Sequence, residues 1–367
     1  MEQVKLPLRA EIVGSFLRPE RLKKARREYR EGKLSPAGLE QIENEEIAKL
    51  IAGQKAIGLH VVTDGEFRRS WWHLDFFWGL NGIEKKTVKQ GCVFHKQETR
   101  RESVRVTGKI GGIRHPMLEH FRFVQNLAGR TIVKQTIPAP AQLLTELIRE
   151  ENIEETLKVY GRIEGLLEDI AHAYRQVISD FAMQGCRYLQ MDDCSWKMLC
   201  DEKIRQNPQI NTDEMALLFA RVNEMALNSR PKDMTITMHV CRENYNSIRA
   251  SEGGYEPIAE ILFDLPVDAF FLEFDSKRSG NFAPLRFIRN QTVVLGLITT
   301  KSPSLEDKQQ VKARIHEATR YIPLERLCLS PQCGFASTEE SNRLTEQQQW
   351  NKIQLLLKIA HAVWKNK

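Results

Sequence analysis

Apolar positions along the chain gather into eight short runs separated by stretches of mixed polarity. The runs are EIVGS (11–15), HVVTDGE (60–66), TIVKQTI (131–137), RYLQMDD (187–193), TITMHVC (235–241), AFFLEFD (269–275), TVVLGLI (292–298) and LCLSPQCG (327–334). Each is rich in Val, Ile, Leu, Phe or Thr and has the length of a buried strand. Between most of them apolar residues recur every three or four positions, the period of a helix that buries one face. The stretch 34–58, LSPAGLEQIENEEIAKLIAGQKAIG, opens on Ser-Pro, a helix start. The stretches 154–184, 213–228 and 305–320 carry the same period, and a last helix spans about 345–363. Eight strands alternating with helices predict an α/β fold, a (β/α)8 TIM barrel, with residues 1–367 as one domain. A doubly wound open sheet is the competing arrangement. It calls for a G-x-G-x-x-G turn after the first strand, which the chain lacks. One region, 78–115, breaks the alternation. Its charged, alternating KKTVKQGCVFHKQETRRESVRVTGKI predicts a β-hairpin inserted after the second strand.

Composition narrows the class of function. Of 367 residues, 41% are hydrophobic and 28% charged, enough for a large core under a solvated surface. The net charge of +6 is mild for this length, and the basic residues are mixed with acidic ones. That favours small anionic ligands over nucleic acid, since no basic run is interleaved with aromatics. No stretch reaches the roughly 20 apolar residues of a membrane span, and the N-terminus lacks the apolar core of a signal peptide. Seven cysteines, at 92, 186, 194, 200, 241, 328 and 333, are an odd number without paired spacing. They point to buried, catalytic or metal-bound thiols in a cytoplasmic protein. The aromatic cluster SWWHLDFFW (70–78) has two readings: a homodimer surface, or packing beneath the inserted hairpin.

Chemistry collects at the ends of the runs. In a barrel of this type the C-terminal ends of the strands build the active site. Gly14 and Ser15 follow the first run; Asp64 and Glu66 end the second; Asp192 and Asp193 end the fourth. His239 and Cys241 end the fifth, two apart and so on one face of a strand. Glu273 and Asp275 lie on the sixth, Thr299, Thr300 and Lys301 follow the seventh, and Cys333 ends the eighth. So many polar groups at one end are costly unless solvated, paired or metal-bound. His239, Cys241, Glu273 and Cys333 together make a nitrogen, two sulfurs and a carboxylate, a four-ligand zinc set. The alternative is two small buried cysteines and a hydrogen-bonded core histidine.

In order along nearly the whole chain, VGSFLRP (13–19), GLHVVTDGEFRR (58–69), YLQMDD (188–193), MHVC (238–241) and LSPQCGF (329–335) resemble the motifs of the catalytic half of cobalamin-independent methionine synthase. The resemblance implies a barrel with zinc on His239, Cys241, Glu273 and Cys333. It implies transfer of a methyl group to the thiol of homocysteine, with 5-methyltetrahydrofolate as donor. The substrate's amino-acid end then lies at Gly14, Ser15, Glu66 and Asp192, and the catalytic candidates are Lys301 and Asp192. Read without the resemblance, Glu66 with Arg68 and Arg69 is a surface ion-pair cluster, and Asp192-Asp193 is a cap at a strand–helix turn. The chain departs from the pattern in three ways. Such synthases are about twice as long; TTKSP (299–303) puts Lys301 where the family has a histidine; IPAPAQLL (137–144) lacks the family's pterin-facing tryptophan. A methyl-corrinoid protein or another small methyl donor is accordingly the alternative, and a non-catalytic sulfur amino acid binding protein the alternative of another class. Uroporphyrinogen decarboxylase is a similar barrel, but it needs no metal.

Overall fold

In the computed structural model, residues 5–89, 100–242, 253–276, 279–340 and 342–364 are described, with the backbone of 93–94, 97–98, 244–245 and 248–249. Cys92, at the tip of the expected hairpin, lies outside them. Seven of the eight apolar runs contain strands. Six strands form one parallel sheet in the order Leu327–Pro331, Thr292–Ile298, Ala269–Glu273, Thr235–Val240, Tyr188–Asp193 and Gln135–Pro138. Every residue of these strands but Thr235 is buried, which is why they read as continuous apolar runs with no alternation. Val61–Val62 pairs in parallel with Ile132–Val133, so the third run serves two neighbours in succession.

The first run corrects the expectation of a full strand. Among the described residues its only ladder contact is a bridge just ahead of it, from Ala10 to Leu329. Glu11 N–H to Leu329 O at 2.9 Å belongs to that bridge; beyond it the backbone bonds are single, Phe335 N–H to Ser15 O and Phe16 N–H to Gly65 O, each at 3.0 Å. The Thr63 hydroxyl takes a further position by donating to Gly14 O at 2.7 Å. These bonds still link the last strand to the second run, so the barrel closes around the first run.

Helices fall where the apolar period placed them: Pro36–Ala56, Thr212–Leu227, Lys308–Ala318 and Glu346–Trp364. The 154–184 stretch is two helices, Glu150–Tyr160 and Ile163–Met183, broken at Gly161, whose φ of +67° suits glycine. Asn81–Thr87 pairs antiparallel with Glu102–Gly111 and forms the inserted hairpin. Beneath it lie Phe76 and Phe77, with no exposed surface. The Trp71 indole donates to Glu102 at 2.9 Å and the Trp78 indole to Ser103 O at 3.1 Å. The 70–78 cluster thus packs under the hairpin, which removes the ground for reading it as a subunit surface.

Among the buried polar groups is a Lys134–Glu11 ion pair at 3.3 Å with no side-chain exposure on either partner. Lys134 also donates to Gln190 Oε1 at 2.9 Å and to Ile12 O. Removing one partner strands the other as an unpaired buried charge. Lys134→Met is therefore expected to cost about 3–5 kcal/mol by urea denaturation, and Lys134→Met with Glu11→Leu distinctly less. A double variant as unstable as the sum of the singles would contradict this.

Candidate metal and substrate site

The parallel register sets Asp192 beside His239 on adjacent strands, and Gly296 beside Glu273. Continuing past the strand Thr235–Val240, Cys241 keeps the face of His239. Its amide donates to Asp193 O at 3.0 Å. The result brings together His239, Cys241, Glu273 and Cys333, all buried, with one donor atom from each within 4.8 Å of all the others. Cys241 Sγ and Cys333 Sγ stand 3.7 Å apart. Two sulfurs about 2.3 Å from a shared tetrahedral ion would stand roughly 3.8 Å apart. The spacing and the mixed N, S and O donors fit such an ion.

The supports behind these four side chains are equally specific. His239 Nδ1 faces Asp192 Oδ1 at 3.0 Å, while Nε2 lies 3.3 Å from Gln332 O. A carboxylate behind one ring nitrogen fixes the ring and leaves the other nitrogen for a metal. Gln190 Nε2 donates to the same Asp192 oxygen at 2.8 Å and so holds the carboxylate in turn. Glu273 Oε1 accepts from the Arg242 amide at 2.8 Å. Burial works against a charged His239, but the Asp192 hydrogen bond and the Cys241 charge prevail and push its pKa up to about 9. Hydrogen bonds from the Cys194 and Cys333 thiols hold Cys241 well below the usual thiol range. The metal-free site is thus an imidazolium beside a thiolate.

The set opens on a small cavity lined by Val13, Ser15, Glu66, Trp72, Asp192, Cys194, Gly334 and Ser337 with three of the candidate ligands. Glu66 is forced into it by its turn, at φ +60°, a conformation that costs a non-glycine residue about 1 kcal/mol or more. Asp64 Oδ1 holds that turn by accepting from the Glu66 amide at 2.8 Å. Glu66 Oε1 accepts from the Thr136 hydroxyl at 3.0 Å and lies 3.5 Å from Arg69. Glu66 Oε2 is buried and has no partner among the described residues. Burial raises the Glu66 pKa to about 7 despite the opposing Arg69 charge. A buried acceptor without a donor is the mark of a ligand group to come.

Other expected residues take different places. Ser15 Oγ accepts from the Ala336 amide at 3.2 Å, which leaves the hydroxyl hydrogen to donate. Gly14 is a packing requirement: a Cβ there would stand 2.7 Å from Thr136 Cγ2. Arg69 is a buried part of the site, whereas Arg68 pairs with Glu43 at 3.2 Å. Asp193 is the turn cap, accepting from the Ser195 amide at 2.9 Å and from the Trp196 indole at 3.0 Å. Asp192, by contrast, belongs to the site. Lys301 does not line the cavity; its Nζ lies 3.5 Å from both Glu273 and Asp275. Sequence reasoning missed Trp72, Cys194 and Ser337 on the cavity wall. It also missed Arg18, whose guanidinium ties together Phe16 O, Glu66 O and Ala336 O. Arg18 carried a signal, being an arginine inside the VGSFLRP motif.

Comparison with known proteins gives a consistent picture. Residues 8–352 match the family described as cobalamin-independent synthase, catalytic domain. The uncharacterized Bacillus subtilis protein YxjG is 45% identical, over 100% of this chain and 97% of its own. A crystal structure of a putative vitamin-B12 independent methionine synthase from Listeria monocytogenes is 34% identical. It superposes with a TM-score of 0.75 and covers 98% of both chains. The 5-methyltetrahydropteroyltriglutamate–homocysteine methyltransferase of Thermotoga petrophila is 24% identical over 91% of this chain, which spans 42% of that protein.

Proposed function

Because the chain belongs to the cobalamin-independent methionine synthase family of methyltransferases, we propose that it uses zinc to methylate the thiol of homocysteine and so forms methionine. The observation that supports this most is the buried His239–Cys241–Glu273–Cys333 set opening on a cavity that carries an unpartnered Glu66 oxygen. A free thiol, with a pKa near 8.5, is mostly protonated at neutral pH. His239, Cys241, Glu273 and Cys333 would hold the zinc, which would supply the positive charge that lowers the thiol pKa and fixes the sulfur. Before substrate binds, two thiolates and a carboxylate around a divalent ion would sum to one net negative charge, an electron-rich setting for an incoming sulfur. Glu66 and Asp192 take the substrate ammonium, and the Ser15 hydroxyl donates to its carboxylate. An ammonium at Glu66 offsets the burial that raises this carboxyl to about 7. Asp192 also holds the His239 ring in place.

The donor in this reading is 5-methyltetrahydrofolate. One observation favours the methyl-corrinoid alternative: the helix Pro140–Leu147 is almost wholly buried and contains no aromatic residue. Lys301, the other catalytic candidate, faces the metal set through Glu273 at 3.5 Å. The six described free cysteines are all buried, in keeping with a reducing cytoplasm. No helix among the described residues is long and apolar enough to cross a membrane. The donor is read by supplying homocysteine with methyltetrahydrofolate, as mono- and triglutamate, or with a methyl-corrinoid protein. Methionine from the folate supports the proposal; methionine from the corrinoid alone moves the donor; none from either contradicts the function.

Metal loading has its own pH signature. Zinc must displace the proton that Asp192 and Cys241 hold on His239, whose pKa is about 9. Affinity is therefore expected to rise at least about tenfold per pH unit from pH 7 to about 9. Competition with a chelating dye at several pH values measures the slope, and a flat profile would contradict the proton on His239.

A further inference from the structure

Four protein ligands would fill a tetrahedral ion, so a substrate sulfur would have no place until one of them left. The geometry singles out Glu273. His239 is braced from behind by Asp192 at 3.0 Å, and Cys241 and Cys333 are soft donors already at the spacing of a shared ion, 3.7 Å. Glu273 is the hard donor, and both its oxygens have other partners within reach. Oε1 accepts from the Arg242 amide at 2.8 Å, and Oε2 faces Lys301 Nζ at 3.5 Å. Lys301 is partly buried there and steadied on its other side by Asp275 at 3.5 Å.

We propose that Lys301 is a latch for Glu273: a positioning residue that receives the carboxylate when the substrate sulfur takes its place on the metal. The inference rests on the proposed function and extends it to a residue specific to this chain. Charge makes the case. With the homocysteine thiol proton released to solvent, three thiolates around a divalent ion would carry one net negative charge, and an expelled carboxylate beside them would add another. Two like charges in a buried site repel strongly. The Lys301 ammonium neutralises the expelled carboxylate, and Asp275 keeps that ammonium from swinging away. Lys301 thus lowers the cost of opening the set and acts through Glu273 without touching the reacting atoms.

The test uses zinc-loaded full-length protein and homocysteine, read by calorimetry and by zinc-edge X-ray absorption. In the unaltered protein homocysteine is expected to add a third sulfur to the zinc shell and remove an oxygen. Lys301→Met is expected to retain zinc, bind homocysteine about tenfold or more weakly and keep the oxygen in the shell. Lys301→Arg is expected to restore most of the affinity. In a Glu273→Gln background the latch has nothing to hold, so adding Lys301→Met should change homocysteine affinity less than about twofold. Unchanged binding in Lys301→Met, or an equal loss in both backgrounds, would overturn the latch alone. No third sulfur in the unaltered protein would overturn the proposed function and the latch with it. If Lys301→Met does not fold, as circular dichroism would show, Lys301→Gln takes its place in every arm.

Discussion

Cys333→Ser is expected to lose zinc and to form no methionine, with the barrel still folded. In the proposed set Cys333 contributes one of two soft donors, and its sulfur stands 3.7 Å from that of Cys241. A serine hydroxyl is a far weaker donor at neutral pH and does not replace the lost negative charge. The remaining His239, Cys241 and Glu273 form a three-ligand set with one sulfur, poorly matched to holding zinc against dialysis. Activity should fall by more than about a thousandfold, since thiol activation and thiol positioning are lost together. The site is at the mouth of the barrel and the sulfur is small, so thermal unfolding of the metal-free proteins should differ little. Metal analysis and turnover on the same preparation give the answer. Full zinc content with full turnover in Cys333→Ser would remove Cys333 from the ligand set.

Glu66→Gln is expected to weaken homocysteine binding about a hundredfold while making the unliganded protein more stable above pH 7. The two effects share one cause. Burial raises the Glu66 pKa from 4.5 to about 7 in the folded chain. Between those values the folded state holds a proton that the unfolded state has released, so stability falls as pH rises through that window. Above it the full penalty, about 3 kcal/mol, is present. Glutamine does not titrate, and above pH 7 it should recover about 1–3 kcal/mol, read as a higher urea midpoint. It cannot pair with an ammonium as a carboxylate does, and the unpartnered Oε2 position loses its charge. Wild-type affinity in Glu66→Gln, measured by calorimetry at pH 8, would mean that the ammonium sits elsewhere. A stability loss at that pH would mean that Glu66 is held by Arg69 more firmly than burial opposes it.

Much of this was legible in the chain because strand geometry is periodic. His239 and Cys241, two apart at the end of a β-branched run, had to share a face, and parallel register then brought Asp192 beside His239. Glu273 and Cys333 sit at the ends of the sixth and eighth runs, with the seventh between them, and the barrel carries them to the same rim. The helical period placed Pro36–Ala56 and Thr212–Leu227 within a few residues. What the sequence hid depends on loops and on single bonds. EIVGS has the composition of a strand, but side-chain bonds such as Thr63 to Gly14 O stand in for its ladder. Asp192 and Asp193 are adjacent acids with opposite fates, because successive side chains of a strand face opposite sides. One holds His239; the other caps the turn at Ser195. Trp72 enters the cavity because its backbone is tied to the Ser337 carbonyl at 3.0 Å, a contact 265 positions apart that no local pattern announces. Lys301 was placed near the chemistry by its motif, but only the fold shows that it faces Glu273 and Asp275 and does not line the open cavity.

The central claim is that zinc on this site activates homocysteine for methylation. The most direct measurement is methionine formation from homocysteine, with methyltetrahydrofolate and methyl-corrinoid donors supplied in parallel, by protein that is zinc-loaded, then stripped by a chelator, then reloaded. Methionine with loaded protein, its loss on stripping and its return on reloading are the expected result. Equal turnover by stripped protein would contradict the role of the metal, and no methionine from loaded protein with either donor would contradict the function itself.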